Sequence, residues 1–265
     1  MNIYKYELKA NARSTILFMI GMLVFLIFYM TFYPSFASDT GNFMDMLKNY
    51  PEALQKALGV AFENITTLLG YYSFILVYVV LVGAVQSANL GLNSVSKEER
   101  DKTAEFLLVK PVSRMKILTA KLASILTLVL LTNIVYNIGS YLILKLMVDK
   151  PFDLKTFFLL NSTLLIIQLV FIALGFFIGI FIKRMRTIMP VSLALVFGLF
   201  AIGAFAVNAD DDKLRYLSPF KYYDFNYILA NQSFEAGYLI FALILILVLL
   251  ITSFIIYQKR DIESV

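Results

Sequence analysis

The sequence predicts an all-α integral membrane protein with six transmembrane helices. Hydrophobic residues make up 60% of the 265 residues, only 15% are charged, and the mean hydropathy is +0.79. Soluble domains are instead about 45–50% apolar and about 25% charged. A helix needs about 20 apolar residues to cross a bilayer, and the chain contains six such stretches. They are continuous, whereas a transmembrane β-barrel has alternating strands.

The predicted elements form a single domain, residues 1–265. The first is an interfacial helix at residues 2–13, where Lys5, Lys9 and Arg13 recur at i, i+4 and i+8. Such a basic stripe suits anionic lipid headgroups, although it is equally typical of an ordinary positive flank. The first span is expected to be retained, because its core exceeds the roughly 7–15 apolar residues of a signal peptide. The spans are predicted at residues 15–33, 69–90, 117–144, 157–182, 188–207 and 238–257.

The placement of Lys and Arg predicts the orientation. Six spans put both termini on one side, and the segments there hold over half of the 23 Lys and Arg residues. Short loops rich in Lys and Arg stay in the cytoplasm. We therefore expect a multi-pass protein with both termini in the cytoplasm.

Several kinds of chemistry are excluded by composition. The chain has no cysteine and no histidine, so it lacks thiolate ligands and the commonest general base and metal ligand. No G-x-x-x-x-G-K-[ST] motif is present, so the chain cannot hold ATP in a P-loop. We expect no catalytic residue, no metal site and no nucleic-acid partner.

The polar groups within the spans are amides and hydroxyls, and the middle of each span has no Asp, Glu, Lys or Arg. Ion-coupled carriers usually have ionisable residues there. Amides within spans either hydrogen-bond to neighbouring helices or line a substrate path, and both interpretations stay open. The candidate path residues are Gln86, Asn89, Asn133 and Asn137.

Two further patterns concern packing. Gly175 and Gly179 form a GxxxG motif, which permits close helix approach and is expected to act within one subunit. Aromatic residues crowd the segment before the last span and favour a belt at the membrane interface, with substrate contact as the alternative. They are Phe220, Tyr222, Tyr223, Phe225 and Tyr227.

A dense charged segment, SKEERDKTAEFLLVKPVSR, separates the second and third spans at residues 96–114. Ser96 with Glu99 three residues later has the form of a capping box, which predicts a helix starting at about Lys97. Pro111 would end that helix, and Ser113 would cap the third span. The segment is either a lever between a soluble partner and the spans or a solvated loop.

Residues in this segment resemble a known family. Thr103-Ala-Glu-Phe-Leu-Leu, Pro111-Val-Ser-Arg and then Ile117 and Lys121 are similar to a motif of permease subunits of ABC type-2 exporters. Leu217-Ser-Pro-Phe-Lys-Tyr and Lys259-Arg-Asp-Ile support the resemblance, which covers nearly the whole chain. Ala104 is a mild departure from the family pattern.

The resemblance implies a bacterial cytoplasmic-membrane protein that works with separately encoded ATP-binding subunits. It also implies a pairing, either with a second copy of the chain or with a similar permease. ATP and Mg²⁺ would be bound by the ATP-binding subunits, and this chain would bind no cofactor. Residues 94–116 would form a cytoplasmic coupling helix. The residues expected to contact the ATP-binding subunit are Ser96, Glu98, Glu99, Lys102, Glu105, Phe106, Leu107 and Arg114.

The spans are neutral and rich in aromatic residues, which favours an amphipathic or lipophilic cargo. A peptide or an antibiotic fits best, as in bacterial exporters of antibiotics and peptide toxins. Two other functions stay open. One is a membrane immunity or scaffold protein that sequesters a toxin without transporting it, and the other is the permease of a sodium exporter.

Overall fold

The computed structural model describes residues 3–38, 67–100, 112–148, 151–182, 187–208 and 212–259. These residues are nearly all helical and include no strand, and six helices are long and apolar enough to cross a membrane. The predicted all-α integral membrane fold is therefore confirmed. In chain order the helices are α1 (Ile3–Met30), α2 (Tyr33–Ser38), α3 (Leu68–Arg100), α4 (Arg114–Met147), α5 (Leu154–Phe181), α6 (Met189–Asn208), α7 (Asp212–Arg215), α8 (Phe225–Asn231) and α9 (Ala236–Lys259), with a 3₁₀ turn at Pro219–Lys221.

Helix α1 is one continuous helix, so the prediction of a separate helix at residues 2–13 is wrong. Its sequence contains no proline, and Gly21 lies well inside the apolar part, so nothing breaks the backbone after Arg13. Lys5, Lys9 and Arg13 are exposed. Its buried face instead begins with a polar stripe, Glu7, Asn11 and Thr15.

Helix α3 also extends further than predicted, through residue 96 to Arg100. Ser96 is therefore inside a helix, and the predicted capping box at this position is wrong. The Ser96 hydroxyl donates to the backbone oxygen of Leu92 at 2.8 Å, a local bond that serine can make within a helix. Ser113 does cap α4, since its side chain accepts from the Lys116 amide.

Close packing between α3 and α5 forms the centre of the bundle. A Cβ atom at Gly91 would lie 2.7 Å from the backbone oxygen of Ile172, and one at Gly175 would lie 2.7 Å from that of Ala88. Both distances are shorter than real Cβ contacts, so only glycine fits there. The GxxxG motif therefore acts within one chain, as predicted.

The remaining spans are less enclosed. In the most apolar stretch of α3, 67% of the residues are buried, whereas the share is only 11% in α9 and 22% in both α1 and α6. Helix α1 packs along α4, where Leu23 lies against Gly139. The molecule thus contains two closely packed helix pairs, α3 with α5 and α1 with α4.

The aromatic segment between α6 and α9 is packed inside the protein. Phe220 lies between Phe171 and Phe200, with ring centroids 5.4 Å from each, and Ser218 donates to the backbone oxygen of Leu199 at 2.7 Å. The predicted interface belt is therefore wrong for most of these residues, because neighbouring helices cover them. The buried members are Phe220, Tyr222, Tyr223 and Phe225, while Tyr227 is exposed.

Candidate functional site

The candidate site is the end of the bundle where α1 begins, α3 ends and α4 begins, which we name the basal end. The segment between α3 and α4 starts and finishes there, so any partner that contacts this segment acts on the basal end. The opposite end, where α4 ends and α5 begins, is named the distal end.

Glu7 is the centre of a polar network at the basal end. It is 3% exposed, and its carboxylate lies 3.8 Å from the Lys97 ammonium of α3. The side-chain amide of Asn11 donates to the same carboxylate at 3.4 Å and to the Glu7 backbone oxygen at 3.0 Å. A buried carboxylate is costly unless it has such partners.

The end of α3 supplies the other half of this network. Asn93, Lys97 and Arg100 recur at i, i+4 and i+7, which places them on one helix face. Asn93 donates to the Asn11 side-chain oxygen at 3.1 Å, and Arg100 donates to that of Asn93 at 3.2 Å. The Lys97 ammonium also lies 4.7 Å from the centroid of the Tyr6 ring. We name Glu7, Asn11, Asn93, Lys97 and Arg100 the basal network.

Lys121 joins α4 to the end of α3. It is 1% exposed, and its ammonium donates to the backbone oxygen of Ser94 at 2.6 Å. The Tyr4 and Thr127 hydroxyls, 3.0 Å apart, join α1 to α4. Hydrogen bonds and an ion pair therefore join helices α1, α3 and α4 at the basal end.

Arg114 anchors the other end of the segment, at the first residue of α4. Its guanidinium donates to the backbone oxygen of Gln258 in α9 at 3.2 Å. The residues on both sides of this segment thus contact the bundle: Arg100 contacts Asn93, and Arg114 contacts α9. Movement of the segment would act on α1 through one anchor and on α9 through the other.

The predicted partner-contact residues are only partly described. Ser96 is buried and bonded within α3, and Arg114 contacts α9. Glu98 and Glu99 lie within α3. Lys102, Glu105, Phe106 and Leu107 lie outside the described residues, and their contact with a partner stays a prediction.

Among the candidate path residues, Gln86 and Asn133 meet in the middle of the bundle. Gln86 donates to the Thr132 hydroxyl at 3.0 Å, and Gln168 donates to the Gln86 side-chain oxygen at 3.1 Å. Asn133 donates to the Gln168 oxygen at 2.6 Å. We name these four residues the amide cluster; they join α3 and α5 to α4.

A second cluster lies nearer the distal end. Asn161 donates to the Asn137 oxygen at 3.0 Å and to the Ser140 hydroxyl at 3.3 Å, and it accepts from the Tyr72 hydroxyl. The Tyr72 hydroxyl also lies 3.2 Å from that of Tyr136. We name these five residues the asparagine–tyrosine cluster.

Asn89 differs from the other candidate path residues. It is half-buried, and it belongs to neither cluster. Three of the four candidate path residues therefore form hydrogen bonds between helices. A substrate path along these residues stays a prediction.

The distal end has its own ion pair. Arg215 lies 2.6 Å from the Glu235 carboxylate and 4.1 Å from the Tyr238 ring centroid. Beside it, burial lowers the pKa of Lys221 and raises the pKa of Tyr222 to about 12. Protein therefore encloses this region outside the spans.

The importance of the Glu7 face was missed in the sequence. Glu7, Asn11 and Thr15 recur at i, i+4 and i+8, and this polar stripe was a usable signal beside the basic one. In the described part of the chain, no cluster of three or more His, Cys, Asp or Glu side chains could hold a metal ion.

Comparison with known families identifies the chain. The model of the ABC-2 family transporter protein family matches residues 1–262. No individual curated protein matches it significantly. The family is that of membrane components of ABC transporters, which implies an ATP-binding partner. With a match over nearly its whole length and six apolar helices, the chain belongs to the ABC-2 transporter family as a membrane permease component.

Proposed function

We propose that the chain is the permease subunit of an ATP-driven exporter that moves an amphipathic or lipophilic cargo, a peptide or an antibiotic, out of the cell. A separate ATP-binding subunit binds the segment at residues 94–116 from the cytoplasm. ATP and Mg²⁺ are bound by that subunit, and two copies of this chain form the membrane body.

The observation that carries the proposal is the anchoring of this segment. Arg100 belongs to a network that reaches α1, and Arg114 contacts α9. A segment joined to the bundle at both ends can transmit a pull to several helices, whereas a loosely attached loop cannot. The family match supports the same interpretation.

The side chains of the chain support an energy source outside it. The chain has no P-loop motif, and the described polar groups in the middle of the bundle are amides and hydroxyls. Such groups do not couple transport to a proton gradient by titration. These features support ATP hydrolysis in a partner as the energy source for transport.

The surface of the bundle supports the cargo class. Helices α1, α4 and α9 expose mainly large apolar side chains, among them Phe28, Ile138 and Leu247. These side chains face lipid, so a cargo with an apolar face can reach the surface of the chain from the bilayer. This accessibility supports an amphipathic or lipophilic cargo.

Capture of the ATP-binding subunit tests the proposal. The tagged chain is purified from its native membranes, and P-loop proteins bound in stoichiometric amount are identified by mass spectrometry. Glu105→Arg should abolish the capture by reversing a charge in the segment that the ATP-binding subunit binds. Lys155→Glu reverses an exposed charge at the distal end and should not. Equal capture by both variants would refute the role of the segment.

Cargo class is tested with the purified complex in vesicles. Amphipathic cationic peptide, phospholipid and sodium are each added, and ATP hydrolysis is measured. Peptide should raise the rate most. Stimulation by sodium alone would favour the sodium exporter, and wild-type chain that captures a peptide toxin but no ATPase would favour the immunity protein.

A further inference from the structure

We infer that Glu7 is a positioning residue that latches the α1/α4 pair to the α3/α5 pair at the basal end, and that displacement of the end of α3 at Arg100 releases this latch. The inference rests on the proposed function, because it requires a partner that displaces the end of α3.

The packing separates the bundle into two units. Helices α3 and α5 approach backbone to backbone at Gly91 and Gly175, so they move as one body. Helix α1 packs along α4, whereas its contact with α3 is smaller. Relative motion is therefore easiest between the two pairs.

Polar contacts bridge the two pairs at three levels. The asparagine–tyrosine cluster and the amide cluster bridge them at the distal and middle levels through neutral side chains. The basal network bridges them with a carboxylate and an ammonium group. Neutral amides can exchange partners with little change in charge, but separating Glu7 from Lys97 leaves a buried carboxylate without its cation.

The position of Glu7 connects this bridge to the segment. Lys97 lies one turn before Arg100, where the segment begins, and it is held on two sides by Tyr6 and Glu7 of α1. Of the carboxylates that the structure describes, Glu7 is the buried one. A pull on the end of α3 therefore acts first on the contact between Lys97 and Glu7.

The absence of cysteine from the natural sequence allows two spin labels to be placed without background. Ser14→Cys on α1 and Phe181→Cys on α5, both exposed, report the separation of the pairs at the basal end. Phe28→Cys and Leu154→Cys, also exposed, report it at the distal end. The distances between the two spin labels are measured by double electron–electron resonance in vesicles of phosphatidylglycerol and phosphatidylethanolamine.

In the permease alone, Glu7→Gln should broaden the basal distance distribution and leave the distal one unchanged. Glu235→Gln, which removes the carboxylate charge of the distal ion pair, should leave the basal distances as in the wild type. Exchanging the charges, Glu7→Lys with Lys97→Glu, should restore the narrow distribution. A basal distribution unaltered by Glu7→Gln would overturn the inference without any partner.

In the complex with the captured ATPase, ATP and vanadate should shift the basal distance of the wild type. Glu7→Gln should lose this shift while the ATPase stays bound, a result that a role in folding alone does not produce. An equal shift in Glu7→Gln would overturn the latch and leave the proposed function intact. If the wild type captures no ATPase, the proposed function fails and the latch falls with it.

Discussion

At the scale of single residues, the buried amides explain how an apolar bundle holds specific helix partners. Asn161 is completely buried and contacts side chains from both α3 and α4. Apolar side chains gain little by leaving lipid for another helix, so hydrogen bonds add specificity there. The sequence indicated the polar positions but not their partners.

Replacement of Asn161 should test this specificity. Asn161→Ala removes the bonds to Asn137 and Ser140 and should lower stability by about 1–3 kcal/mol. Thermal unfolding in detergent, followed by size-exclusion chromatography, measures the loss. Asn231→Ala is the control, because its amide is exposed and bonds within its own helix. Equal melting of the two variants would refute the role of Asn161.

At the scale of elements, the charged stretches of α1 and α3 are helical because neighbouring helices provide partners for their polar side chains. Asn11 and Asn93 contact one another, so neither helix has to end where the apolar stretch ends. The predicted boundaries followed hydropathy, which indicates where the chain crosses the membrane and not where a helix ends. The prediction therefore ended the second span at Leu90, whereas α3 continues to Arg100.

The packing of α3 on α5 gives a prediction at this scale. Gly175→Ala would place a Cβ atom 2.7 Å from the Ala88 backbone oxygen and should lower stability by about 1–3 kcal/mol through overpacking. Gly198→Ala has no atom within 4 Å of the added carbon and should be neutral or stabilising by up to about 1 kcal/mol. The melting temperatures of both variants are measured by thermal unfolding. Equal melting temperatures would contradict the close approach of α3 and α5 at Gly175.

At the scale of the whole molecule, the two helix pairs are joined by α9, which packs on α5 and is otherwise largely exposed. Helix α9 exposes a long apolar face, which suits lipid or a second copy of the chain. Polar contacts gather at the basal end, where the segment between α3 and α4 begins and finishes. Force applied there can therefore reach both helix pairs.

The orientation of this body in the membrane is a further prediction. Single cysteines at Ser233 and Lys116, both exposed and at opposite ends, are treated with a membrane-impermeant thiol reagent. Ser233→Cys should react in intact cells, and Lys116→Cys only after permeabilisation, because the side richer in Lys and Arg faces the cytoplasm. The natural chain, which lacks cysteine, is the blank. The reverse pattern would invert the proposed topology.

The sequence by itself determined the fold class, the number of spans and the family. These depend on local properties: a continuous apolar stretch crosses a membrane whatever packs beside it, and the motif from Thr103 to Lys121 is contiguous. It also located the segment in which partner contact is predicted.

Only the tertiary structure decided which side chains meet. It showed that α1 and α3 continue through their charged ends, that Phe220 and Tyr222 are covered, and that Glu7 faces Lys97. The physical reason is that a polar or aromatic side chain can be placed in lipid, in water or inside the protein. Which of these is most favourable depends on the groups that it contacts there. Those groups come from distant parts of the chain, so local pattern cannot identify them.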